Sequence, residues 1–195
     1  MRFLNFILSL VICSFALSTV AFATNKSSLL WHARKCNPAP SGKLGAFDVL
    51  PGGDPCIYHE GNMLLYISAS RSLYVCENGV AVKANLVSGG KGGTNKTRLG
   101  DRKTPTGVYT LGTPRPSANF GIFIPIGYPN EEDKRLKRTG DHVGIHGPTR
   151  QHACDGAGNL GSNWTNGCLA YAADKQVYDL SLWILARPDA YIVLK

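Results

Sequence analysis

Cys168 follows Asn166-Gly167 and precedes Leu169-Ala170-Tyr171; upstream, His146 is followed by Gly147. A thiol acts as a nucleophile when a base takes its proton, backbone N–H groups steady the developing anion and a substrate can reach it. Gly167 leaves the approach open and lets successive N–H groups turn towards one point. His146 is the candidate base. Three other fates remain open from residue types alone. Cys168 could be half of a disulfide, a small core thiol, or a zinc ligand with His142 and His146. Zinc is the weakest of these, because a structural site wants four ligands and the chain has no CxxC pair.

The compartment bears on the thiol. The chain opens with MRFLNFILSLVICSFALSTVAFA, where Arg2 precedes an apolar run that ends in the small-x-small triplet Ala21-Phe22-Ala23. This is the layout of a secretory signal peptide over residues 1–23. Ser9, Ser14 and Ser18 interrupt the run, which is short for a span, so no stable membrane insertion is expected after cleavage. Cys13 lies too early to carry a lipid at the cleavage point. Export leaves Cys36, Cys56, Cys76, Cys154 and Cys168, an odd set. An oxidising compartment favours two pairs and one free thiol. Residues 24–61, rich in Pro, Gly and polar side chains, read as an irregular N-terminal arm that a Cys36–Cys56 bridge would close. The formal charge is +8, and KTRLGDRK and DKRLKR cluster much of it. These runs lack interleaved aromatics, and an exported protein does not meet nucleic acid. A carboxylate-rich wall is the better partner.

The elements that must position Cys168 fall in residues 62–195. MLLYISASRSLYVC and VAVKANLVSG are β-rich, with a hairpin at Asn78-Gly79. GGKGGTNKTRLGDRK, residues 89–103, reads as a long exposed loop and a candidate lid. TPTGVYTLG and FGIFIPIGYPN supply further strands, and residues 131–138 a charged loop. HVGIHG reads as a short strand with His142, Gly144 and His146 on one face. After Cys168, Val177, Leu180, Ser181 and Ile184 keep helical spacing behind Asp174 as N-cap, and YIVLK closes as a strand. The class is mainly β, with one helix.

TPTGVY, then IHG, then GC followed by a helix, with LVSGGKG ahead of the loop, resembles the L,D-transpeptidase catalytic domain (YkuD-type) family over residues 63–195. The resemblance implies a β-sandwich-like domain with a helix after the catalytic cysteine. It makes Cys168 the nucleophile, His146 the proton acceptor and the Gly147 backbone the group that orients it. Thr165, Asn166 and Gly167 become substrate contacts, Tyr128 is added as a cleft residue, and no metal or cofactor is required. Three departures stand out. Asn166 replaces the family's usual His, Ala170 replaces an Arg or Asn, and QHACDGAGNLGSNW lengthens the spacer. A bridge from Cys154 to Cys76 would pin that extension. Together the departures resemble a YafK-like branch. The expected protein is a periplasmic or secreted monomer that acts on peptidoglycan stem peptides as a cysteine acyltransferase. A thioester at the L-centre of diaminopimelate would pass to an amine, crosslinking or remodelling the wall. The alternatives are an amide hydrolase with the same Cys–His pair, for example one releasing wall-bound lipoprotein, or a catalytically silent wall-binding module.

Overall fold

The computed structural model describes residues 53–195. The signal-peptide expectation and most of the N-terminal arm, Cys36 included, lie outside the described residues. Among the described residues, nine strands form two sheets. The first has the order β3-β2-β1-β9-β4, from β1 (Asn62–Ile67), β2 (Ser72–Glu77), β3 (Val80–Leu86), β4 (Gly107–Thr110) and β9 (Tyr191–Leu194). The second has the order β5-β6-β7-β8, from β5 (Arg115–Ser117), β6 (Gly121–Pro125), β7 (Gly144–His146) and β8 (Leu169–Ala170). This is the β-sandwich-like architecture that the family resemblance implies. A helix, α2 (Asp174–Leu185), follows Cys168 and packs on β6 and β7.

Alternation along β1 explains the core. Leu64 and Tyr66 enter the main cluster with Ile122, Ile124, Ile145, Leu169 and Ile192, while Met63 and Leu65 enter a smaller cluster with Tyr74, Cys76 and Val193. Both faces of β1 are therefore covered. From α2, Val177, Leu180 and Ile184 seal the main cluster, as their spacing predicts. The Asn78-Gly79 hairpin joins β2 to β3, with both residues at positive φ as a tight turn of this kind requires.

Several local expectations are corrected. Residues 131–138 contain a helix, α1 (Glu131–Arg135), started by a reciprocal cap: Asn130 Oδ1 accepts from the Asp133 N–H, and Asp133 Oδ2 accepts from the Asn130 N–H. Asp174 is not an N-cap; Ala173 holds that position, and Asp174 is buried in the first turn. His142 precedes β7, has positive φ and is exposed, so it does not share a strand face with His146. The bridges differ as well. Cys56 pairs with Cys76 rather than with Cys36, and Cys154 is disulfide-bonded without using Cys76.

Candidate functional site

Pairing between β7 and β8 assembles the centre of the site. The two strands run parallel, with Ile145 opposite Leu169 and His146 opposite Ala170. Parallel neighbours need a long crossover, and residues 147–168 supply it. The register puts Cys168 at the entry of β8, beside Gly144. Its neighbours are tied down by a side chain. Thr165 Oγ1 donates to the Cys168 carbonyl at 2.7 Å and accepts from the Gly167 N–H at 3.1 Å. Gly167 adopts φ +131°, and a Cβ there would lie 2.5 Å from the Lys103 carbonyl oxygen. Glycine is therefore needed for conformation and for the close approach of the 89–103 loop.

That loop is a wall of the site. The Thr165 N–H donates to the Gly89 carbonyl, and the Lys91 N–H donates to the Thr165 carbonyl. Lys96 is buried and paired with Asp101 at 2.7 Å. Burial raises the Asp101 pKa, but the Lys96 ammonium and N–H donors from Thr97, Arg98 and Lys103 outweigh it and hold the carboxyl well below its usual range.

His146 is 1% exposed. Its Nδ1 lies 2.6 Å from the Gly147 carbonyl oxygen, so Nδ1 carries the proton and Nε2 is left as the acceptor. The imidazole stacks on Phe120 with centroids 3.8 Å apart, and the Trp164 ring lies 5.7 Å away at a tilt of 60°. A fork of hydrogen bonds steadies these neighbours. Arg150 donates to both Asp174 carboxylate oxygens, at 2.8 and 2.6 Å, and to the Phe120 carbonyl at 2.7 Å. Asp174 in turn lies against Gly147, where a Cβ would meet Oδ1 at 2.5 Å. Sequence reasoning missed Arg150, Asp174 and Phe120, because a contact across 24 positions leaves no periodic signal.

Cys168 and His146 open onto one cleft of about 910 Å³, which Thr165, Asn166 and Trp164 also line. Lys91, Arg102 and Arg115 stand in its walls with one carboxylate, Asp141, which lies 2.8 Å from His142 Nδ1, and Arg115 lies over the Phe123 ring at 5.3 Å. Tyr128 sits elsewhere. It is buried in the main core and donates to the Thr139 carbonyl. His142, His146 and Cys168 do not make a metal centre: among the described residues, no three His, Cys, Asp or Glu side chains are grouped to hold an ion.

A family model described as the YkuD L,D-transpeptidase catalytic domain matches residues 63–192. The chain belongs to this family. The L,D-transpeptidase domain described here is similar in shape to the helical cell shape determining protein Pgp2 from Campylobacter jejuni, with a TM-score of 0.57 and 23% identity over 73% of this chain and 52% of that one. It is also similar to Bd1075 from Bdellovibrio bacteriovorus, with a TM-score of 0.53 and 21% identity over 70% and 48% of the two chains. The chain thus spans about half the length of these solved structures, and the likeness is one of fold. No curated protein sequence matches it.

Membership of the L,D-transpeptidase family does not carry the expected acyltransferase into this site. Cys56 and Cys76 are bonded to each other and offer no thiol. Cys168 is free, but its thiol donates to the His142 carbonyl at 3.4 Å. Burial pushes that thiol up to about 11, against the opposing pull of the Gly144 backbone and the Lys96 charge. Burial likewise pushes His146 down to about 4, opposed by its bond to Gly147. Both shifts run against moving the proton from sulfur to imidazole, since burial favours the neutral form of each group. The transferase enzyme with an activated cysteine nucleophile is accordingly corrected to a neutral thiol and a neutral imidazole at the floor of a binding cleft. Alkylation tests this assignment. Iodoacetamide labelling of Cys168 near pH 8 is expected roughly 100-fold slower than for a thiol titrating at 9.0, since the thiolate is the reacting form. The rate should still be rising above pH 10; a plateau near pH 7 overturns the assignment.

Proposed function

We propose that this domain is a cell-envelope module that binds peptidoglycan stem peptides in the Cys168–His146 cleft and holds them without turnover. The observation that carries the reading is the pairing of a cationic rim with an uncharged floor. Lys91, Arg102 and Arg115 suit the carboxylates of stem peptides. At the floor, His146 Nε2 offers an acceptor beside a neutral Cys168 thiol whose proton goes to the His142 carbonyl, rather than an ion pair. Thr165, Asn166 and Gly167 frame the peptide, and Asn166, neutral at any ordinary pH, marks the YafK-like branch. Residues 1–23 serve as a signal peptide and 24–61 as an arm ahead of a monomeric domain, placing it in the periplasm or outside the cell. The likeness in fold to Pgp2 supports a part in cell shape.

Purified sacculi test the reading. The protein is expected to sediment with them at low ionic strength and to be released as salt screens the rim. Replacing Lys91, Arg102 and Arg115 together with Gln should weaken retention roughly 3- to 150-fold, each exposed charge contributing about 0.2–1 kcal/mol. Muropeptides recovered afterwards should be unchanged. New 3–3 crosslinks, freed peptide ends, or a carbapenem adduct that Cys168→Ala abolishes would each sink the proposal.

A further inference from the structure

A second cavity, of about 450 Å³, lies behind Trp164 within the extended spacer. Trp164 and Thr149 line both cavities. We infer that this second cavity is a subsite for a neutral, N-acetylated sugar ring. The inference rests on the reading of the main cleft as a wall-binding site.

The lining carries it. Apart from Trp164 and two glycines, the residues are Thr149, His152, Asp155, Asn159 and Ser162, with no aliphatic side chain among them. One aromatic surface surrounded by hydrogen-bonding groups suits a ring that is apolar on its face and polar at its edge. The polar groups have spare capacity of one kind. Asn159 spends both amide protons on the His152 and Ala172 carbonyls, which leaves Oδ1 as an acceptor. His152 Nδ1 is bound to Asp155 Oδ2, which leaves His152 Nε2 and Asp155 Oδ1. The Trp164 N–H is committed to the Asn159 carbonyl, so the indole offers its face. Thr149 Oγ1 is buried and finds no partner among the described residues. Acceptors therefore outnumber free donors, and a ligand rich in hydroxyl and amide protons fits them.

A cationic amine would also satisfy such acceptors. Its surroundings oppose it, because the chain carries a net charge of +8 and Lys91, Arg102 and Arg115 line the adjoining cleft. In peptidoglycan the stem peptide is attached to an N-acetylated sugar. A few peptide residues, at about 3.3–3.6 Å each, would link a sugar behind Trp164 to a peptide end at Cys168.

Two probes titrated separately into the full chain, followed by amide NMR, test the inference. A tetramer of N-acetylglucosamine should shift residues 149–164, and a free alanyl-glutamyl-diaminopimelate tripeptide should shift those around Lys91 and Cys168. Trp164→Ala should weaken sugar binding at least tenfold. Gly158→Tyr provides a second route, since a Cβ at Gly158 meets only Asp155 Cβ at 3.8 Å and the ring can fill the cavity without moving backbone. It should abolish the sugar shifts and spare the peptide's. The inference is overturned if the tetramer causes no shifts at millimolar concentration, if its shifts survive both variants, or if diaminopropane occupies the cavity in its place. Failure of the tripeptide alone refutes the stem-peptide reading and leaves the sugar site standing.

Discussion

Arg150→Met should lower the melting temperature by roughly 6–20 °C. The figure follows from the Arg150–Asp174 pair, whose side chains are 17% and 7% exposed. Removing one partner of a buried pair leaves the other charge uncompensated and costs about 3–5 kcal/mol, and a protein of this size loses about 2–4 °C per kcal/mol. The effect should not stop at stability. Arg150 also holds the Phe120 carbonyl, and Asp174 abuts Gly147, so both supports of the His146 ring loosen. With better access to water, the imidazole should titrate above its native value of about 4, towards the ordinary 6.5, as followed by its Cε1–H resonance. Arg150→Met with Asp174→Asn should recover part of the loss, because no lone charge remains. A single variant that melts with the native protein would show that the fork does not hold the site.

The second large effect lies away from the cleft. The Cys56–Cys76 bridge closes a loop with a sequence separation of 20 and is fully buried in the smaller core cluster. Restricting an unfolded chain over that length contributes about 3 kcal/mol. Cys56→Ala with Cys76→Ala should therefore lower the urea midpoint by about 1–3 M, taking a slope of about 1–3 kcal/mol per molar. The native protein unfolded under reducing conditions should lose at least as much, because reduction also opens the Cys154 bridge, while in the folded double variant the cleft residues keep their NMR positions. An unchanged midpoint in the double variant would mean that packing around Met63 and Tyr74 suffices without the bridge.

Legibility in the sequence followed the range of the interaction. The β2–β3 hairpin needs only Asn78-Gly79 between β-rich runs, and α2 needs only its spaced apolar residues, so both could be read locally. The start of α1 was equally local. Asn130 followed three positions later by Asp133 is a capping signature, hidden by the density of charge after it. The meeting of Cys168 and His146 was accessible because each lies beside a glycine at the end of a short strand, and parallel pairing of those strands brings them to one cleft. Which cysteines pair depends on how the β1–β2 ladder sets Met63 opposite Cys76 and brings Cys56 over that face, a matter of three-dimensional register. The protonation of the thiol was hidden for the same reason. Residue types name a possible nucleophile and base, but burial decides where the proton rests.

The position of β9 has a consequence for how the chain comes into being. This strand lies between β1 and β4 in the larger sheet, parallel to β1, with Met63 opposite Tyr191. Synthesis runs from the amino end, so β1, β2 and β3 emerge long before the strand that must sit beside them. Until then β1 presents an open edge, and Ile192 and Leu194 are missing from the core. The sheet is therefore closed by nearly the last residues of the domain to be made.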